Sequence, residues 1–382
     1  MEATTAMMWF TLMTMATPSS DNVTEASFYY NVSTSASAPP GKSWSPSSSS
    51  WYISPIAATA FFVANVAIAV MGLLANAYVL LALLFSKNSS SSKVNTFITH
   101  QTVIDLTACA FLFVSLILNK QRLQMTGSLA IFVCWFFGSY AISGSAGNAS
   151  IWGLVIITVE RYVKIVHPVA YRNHYRRWMT RAGIIFPWIV AVCTGLIPSW
   201  ATLTLNRGRC IIGSVGSTRE LQLTWYIARF TLLYLGPLAF FIFGYWKILA
   251  VIRRQKKQVG QNQAPNAAAT AAEKQNRRTE MNVVRTMVLV SVSFAVCFAC
   301  WSIYPILTSL ELVPRIGTLY PLFTVFKYAN RCLNPFIYAT QYEVITRWWK
   351  AVMYRVLRGQ NVEQAAVTVS SGPKATSGAP RP

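Results

Sequence analysis

The sequence predicts an all-α membrane protein: a seven-transmembrane helix bundle followed by a short amphipathic eighth helix. Three observations carry that expectation. The 382-residue chain is 54% hydrophobic and only 12% charged, with a mean hydropathy of +0.40, whereas a soluble domain is about a quarter charged. Seven apolar stretches approach the length of about 20 residues that a helix needs to cross a bilayer. Lys and Arg cluster in alternate connections between those stretches, as topology-setting charges do.

Residues 1–53 come first, rich in Ser, Thr, Ala and Pro and without a periodic apolar face, so a disordered tail is expected. The first 16 residues are mildly apolar but carry Glu2 and lack a basic lead, which argues against a cleaved signal peptide. A membrane domain occupies 54–340, with spans at 54–85, 94–118, 130–163, 177–199, 222–252, 279–307 and 317–340. Backbone groups in lipid must bond within their own segment, so these are helices. The third, fifth and sixth overrun the bilayer at the end that carries the basic connections.

The connections at 86–93, 164–181 and 253–278 hold most of the Lys and Arg outside the spans, which makes them cytosolic. The opposite loops hold Lys120, Arg122, Arg207, Arg209, Arg219 and Arg315, partly offset by Glu220 and Glu311. Seven crossings then put the N-terminus outside and the C-terminus inside. Asn22 and Asn31, in Asn-Val-Thr and Asn-Val-Ser, are glycosylation acceptors in the tail placed outside. Residues 341–356 set Val344, Ile345, Trp348, Trp349 and Val352 against Arg347, Lys350 and Arg355, the pattern of a helix lying on the inner leaflet. No cysteine follows Cys332, so this region offers no palmitoylation site. Residues 357–382 read as a disordered cytosolic tail with phosphorylatable Thr368, Ser370, Ser371 and Thr376.

The net charge of +22 raises nucleic acid as a partner. The basic residues lie in short runs between apolar stretches, however, and membrane topology explains that placement better. Cys297 and Cys300 form a CxxC in an apolar run without a nearby His, so no metal or redox motif is read there. An intramembrane enzyme is disfavoured because Asp105 has no second aspartate within the helices. A transporter or channel would show internal repeats or broken helices in matching halves, and no repeat is visible.

Polar residues inside the spans are costly in lipid and usually functional. The first span has Asn76 and the second Asp105; the third ends Glu160-Arg161-Tyr162, with Pro168 seven residues after the arginine. The fourth holds Trp188 and Pro198, the fifth Pro237 and Tyr245, and the seventh Asn334-Pro335-Phe336-Ile337-Tyr338. In this order, each in its own helix, they resemble the rhodopsin-type (class A) G-protein-coupled receptors over roughly residues 54–356. The run IITVERYVKIVHP is similar to the peptide-receptor branches of that family.

The resemblance implies a plasma-membrane receptor that transmits binding of an extracellular ligand to a heterotrimeric G protein. Arrestin and a receptor kinase are further partners, and the surface helix meets membrane lipid. It implies that Glu160 holds Arg161 at rest, and that Tyr245 and Tyr338 join Arg161 once the sixth helix moves outward. It implies a sodium ion at Asp105, with Ser150, Asn330, Asn334 and Asn76 completing the pocket; no other cofactor is implied. Arg331 stands where the family usually has a small residue. It is read either as a built-in counter-ion to Asp105 that displaces sodium, or as an arginine turned to another helix or to water. The resemblance pairs Cys134 with Cys210, although Cys134 lies 27 residues before Arg161, two more than the usual spacing. The family's Cys-Trp-x-Pro is absent from the sixth span, where either Phe298 or Trp301 serves as the aromatic switch.

The ligand pocket is expected between the outer halves of the helices, from Tyr140, Ser143, Arg229, Tyr304, Lys327 and Tyr328. Ser143 stands where amine receptors carry an aspartate, which argues against a monoamine. Tyr328 stands where opsins carry the retinal lysine, and neighbouring Lys327 is about 100° away round the helix, which argues against an opsin-like photoreceptor. Arg229 and Lys327 favour a peptide or small anionic molecule bearing a carboxylate, unless Glu220 or Glu311 neutralises them.

Overall fold

A computed structural model describes residues 53–85, 93–121, 127–206, 209–213, 215–261, 267–341 and 343–358. Asn22, Asn31 and the serines and threonines of the C-terminal tail lie outside the described residues.

The helices follow the order of the apolar stretches. The first runs Pro55–Phe85. Ser54 caps it, its Oγ accepting the Ala57 N–H at 3.2 Å, and Pro55 opens the first turn, where a missing N–H costs no hydrogen bond. The second runs Lys93–Gln121, the third Gly127–Val166 and the fourth Arg177–Ala201. The fifth starts at Arg219–Phe230, capped by Thr218, and continues as Gly236–Gln261. The sixth is Ala267–Ser309 and the seventh Leu319–Gln341.

Among the described residues, six helices are long and apolar enough to cross a membrane. The seventh has the length, but Lys327, Asn330, Arg331 and Asn334 dilute its apolar character. It packs between the first and sixth helices, so Asn330, Arg331 and Asn334 are buried in protein instead of facing lipid. The third helix is the axis, packed against the second, fourth and fifth. Its stretch from Ala141 to Ser150 consists almost wholly of small residues, which let neighbouring backbones approach closely.

Among the described residues, three π-turns interrupt the helices, at Cys134–Gly138, Val192–Leu196 and Thr231–Leu235. The first is followed by a turn at Ser139 and a left-handed Tyr140 with φ 55°. A π-turn inserts an extra residue into a helix, and together these two irregularities take up the long spacing from Cys134 to Arg161. The disulfide Cys134–Cys210 forms across a Cα–Cα distance of 5.5 Å. Cys210 is presented by a hairpin absent from the sequence-based expectation, β1 Leu203–Asn206 paired antiparallel with β2 Arg209–Ile212.

At the opposite end, which carries Arg161, the chain turns through a short helix Pro168–His174. The surface helix runs Glu343–Arg358. It docks through buried Ile345 and through Tyr78 of the first helix, whose ring lies 5.0 Å from Trp348 and 5.3 Å from Trp349. The main core, with Ile157, Phe241, Met287, Phe294, Phe298 and Tyr338, separates the Arg161 end from the disulfide end.

Candidate functional site

At the Arg161 end the third helix places Glu160 and Arg161 side by side, 5% and 3% exposed. Arg161 Nε lies 2.8 Å from Glu160 Oε2, an ionic contact that neutralises a guanidinium too costly to bury alone. Glu160 has a second partner that sequence reading missed: the Tyr171 hydroxyl donates to Oε1 at 2.6 Å. Pro168 starts the short helix that carries Tyr171 one turn later. Burial, and then the bond to Glu160, push the Tyr171 phenol above its ordinary range, so it stays a donor. Tyr162 points away from the pair, against His167 at 5.7 Å and Phe243 at 5.8 Å.

Tyr245 and Tyr338 are both buried one layer above. The Tyr245 hydroxyl shares a 2.8 Å hydrogen bond with Thr158 of the third helix, and the Tyr338 hydroxyl has no protein partner. Pro335 sits inside the seventh helix just before Tyr338.

Mid-bundle lies a polar compartment. Asn76 Nδ2 donates to Gly72 O at 2.9 Å and to Arg331 O at 3.2 Å, joining the first helix to the seventh. Asp105 Oδ2 accepts from Asn334 Nδ2 at 3.0 Å and from Gln101 Nε2 at 3.3 Å. The same Gln101 nitrogen donates to Ser150 Oγ at 2.6 Å. Asn330 turns the other way, its Oδ1 accepting from Ser293 of the sixth helix at 3.4 Å. Gln101 lies one helical turn before Asp105, and that spacing on a polar face was the available signal for it.

The expected direct pairing of Arg331 with Asp105 is not formed. Its guanidinium donates to Ser143 Oγ and to Ser143 O, each at 2.9 Å, and to Ala108 O at 3.4 Å. Side chains lean toward the N-terminus of their helix. The seventh helix starts at the disulfide end, so Arg331 leans away from Asp105 and reaches the third helix at Ser143. The second alternative, an arginine turned to another helix, is the observed one.

These contacts bear on the ion that the family pattern suggests. Ser150 Oγ and Asp105 Oδ2 are both taken by the Gln101 amide, and Asn330 Oδ1 faces the sixth helix. The donor set does not fit a sodium ion bridging Asp105 and Ser150.

Toward the disulfide end the fifth, sixth and seventh helices converge on Trp301. The Lys327 ammonium lies 3.9 Å from the centre of that ring and the Arg229 guanidinium 5.1 Å. Lys327 also lies 4.9 Å from the Tyr328 ring, as does Arg331. Rings and cations thus alternate from Arg229 through Trp301, Lys327 and Tyr328 to Arg331. Glu311 is taken by exposed Arg219 at 2.8 Å, and among the described residues no acid forms an ion pair with Arg229 or Lys327.

Other expected pocket residues are placed differently. Ser143 is buried and occupied by Arg331, and Tyr328 is buried with Ile68 and Leu112, where Tyr140 packs against them. The Tyr304 hydroxyl accepts from Ile316 N at 2.9 Å and fastens the loop after the sixth helix. Phe298 lies deeper, 5.1 Å from Phe294, with its ring edge-on to Trp301 at 6.3 Å. The two candidate switch residues are therefore in series: Trp301 meets the cations and Phe298 meets the core.

Comparison with known proteins agrees with this architecture. The family model of the seven-transmembrane receptors of the rhodopsin family matches residues 75–338. The bovine substance-K receptor is 27% identical over 66% of this chain and 62% of its own length. The mouse somatostatin receptor type 3 is 26% identical over 71% of this chain and 63% of its own, and mouse trace amine-associated receptor 7d 22% identical over 63% and 69%. The matches with the first two span less than two thirds of those relatives' own lengths. Squid rhodopsin superposes with a TM-score of 0.65 at 19% identity, covering 88% of this chain and 98% of that one, which shows the shared fold. The chain belongs to the rhodopsin family of seven-transmembrane receptors. It is a multi-pass membrane protein and a receptor in kind, not an enzyme.

Proposed function

We propose that this chain is a G-protein-coupled receptor of the plasma membrane for a carboxylate-bearing ligand, a peptide or a small anionic molecule. The observation that carries the ligand class is the pair of cations on Trp301. Arg229 and Lys327 come from two helices onto one ring, without an acidic partner among the described residues. Cations partly withdrawn from water favour anionic partners, and an anion placed between these half-buried two relieves their mutual repulsion. The disulfide end faces outward and the Arg161 end the cytosol, as the basic connections require.

Binding would act on Trp301 and, through its edge contact, on Phe298 and Phe294 of the core. Release of Arg161 from Glu160 and Tyr171 then exposes a positive charge to the G protein. Arrestin and a receptor kinase would act on the C-terminal tail. An opsin-like role is the second reading, because Lys327 does point to the outer half of the bundle. A protonated retinal Schiff base needs an acidic counter-ion, and no described acid pairs with Lys327.

The test is nucleotide exchange on a panel of G proteins by the purified receptor. It would be challenged with C-terminally free and amidated peptides, small carboxylates and amines, with retinal as a separate arm. Activation by carboxylates that is lost on amidation or esterification supports the reading. Activation by amines, or a visible-light absorbance with retinal, overturns it.

A further inference from the structure

We propose that this receptor carries its own substitute for a bound cation at the centre of the bundle, made by the Gln101 amide and the Arg331 guanidinium, and that its core is therefore insensitive to sodium. Gln101 Nε2 reaches Ser150 Oγ at 2.6 Å and Asp105 Oδ2 at 3.3 Å. One neutral donor thus joins the two oxygens that a cation would otherwise bridge. As placed, the amide donates to both oxygens and leaves its own Oε1 without a protein partner; turned over, that oxygen would face the Asp105 carboxylate, acceptor against acceptor. Asn334 supplies a second N–H to the same carboxylate oxygen at 3.0 Å.

Arg331 adds a permanent positive charge on the neighbouring turns of the second and third helices, anchored on Ser143 Oγ and O and on Ala108 O. The third helix is shaped for both side chains. A Cβ at Gly153 would collide with Gln101 Oε1, and a Cβ at Gly147 with the Arg331 guanidinium. Glycine is a poor helix former, so its presence at these two contact points fits the space that the two side chains need. Asp105 Oδ1, Asn334 Oδ1 and the Gln101 carbonyl Oε1 remain without a protein partner. Water can supply donors to such buried acceptors, whereas a second cation beside the guanidinium is repelled.

The test needs no ligand, so it stands apart from the proposal about the pocket. The thermal unfolding midpoint of the purified full-length receptor is titrated with sodium chloride and with choline chloride at equal ionic strength. The wild-type midpoint is expected to be the same in both salts, and a sodium-specific rise would overturn the proposal. The double variant Gln101→Ala/Arg331→Ser is expected to acquire a sodium-specific rise. If that variant folds and stays indifferent, the assignment to Gln101 and Arg331 is overturned; if it does not fold, the wild-type comparison decides alone.

Discussion

Lys327 holds its ammonium 3.9 Å from the centre of the Trp301 ring, and Arg229 of another helix approaches the same ring at 5.1 Å. The ring's negative face partly offsets two like charges brought together, by about 0.5–2 kcal/mol for each cation. Among the described residues, no acid forms an ion pair with either cation.

The first prediction concerns those cations. Lys327→Gln and Arg229→Gln are each expected to weaken an anionic agonist by roughly tenfold or more. A charged hydrogen bond contributes about 1.5–3 kcal/mol, and about 1.4 kcal/mol is a factor of ten. Lys327→Arg keeps the charge and should retain most of the affinity. Competition binding on the three variants measures this, and an unchanged Lys327→Gln would show that the ligand sits elsewhere.

A second prediction concerns the resting lock. Glu160→Gln removes the ionic contact to Arg161 and weakens the hold of Tyr171 on the same carboxyl. A shift of about 1–2 kcal/mol toward the active state would raise basal nucleotide exchange by roughly five- to thirtyfold. Tyr171→Phe should move it the same way but less, since an ordinary hydrogen bond contributes about 1 kcal/mol net. Basal exchange without ligand reads both variants. A fall in basal activity for either would show that the contact supports the active state instead.

The third prediction uses the close approach of Gly147 to Arg331. Gly147→Ala is expected to destabilise the receptor by about 1–3 kcal/mol, the usual cost of overpacking. In an Arg331→Ser background the same substitution should be close to neutral. Thermal unfolding of the two single variants and the double variant forms the cycle. Strict additivity would mean that the two positions do not touch.

A fourth prediction concerns the bridge between the third helix and the hairpin. Cys134→Ser and Cys210→Ser should each lower stability by a similar amount, about 2–5 kcal/mol. Because both remove one bond, the double variant should be no worse than either alone. Unfolding midpoints of the three proteins check it.

Much of the fold was legible because lipid simplifies the problem. A span of apolar residues has one structural solution, a helix. The seventh helix was readable from the length of its apolar stretch despite Lys327 and Arg331, and Asn334-Pro335 and Tyr338 then joined it to the family pattern. What lay beyond the sequence was the direction of single side chains. Position 331 announced a conflict beside Asp105, but only the N-terminal lean of the arginine sends it to Ser143. Gln101 drew no attention because an amide beside an aspartate has many alternatives, and Ser150 becomes its partner only across the helix interface. The long Cys134 spacing looked like a defect until the π-turn and the left-handed Tyr140 accounted for it. Tyr304 read as a pocket aromatic, yet its hydroxyl bonds to the backbone of a loop twelve residues on.

On the proposed function, an anion bound at Arg229 and Lys327 drives G-protein activation through Trp301. The most direct measurement is agonist-stimulated nucleotide exchange by wild type and by Arg229→Gln/Lys327→Gln, using a peptide agonist and its C-terminal amide. Wild type is expected to respond to the free acid and poorly to the amide. The double variant is expected to lose the response to the acid while keeping its basal exchange. Equal responses to acid and amide in wild type, or an undiminished response in the double variant, would contradict it.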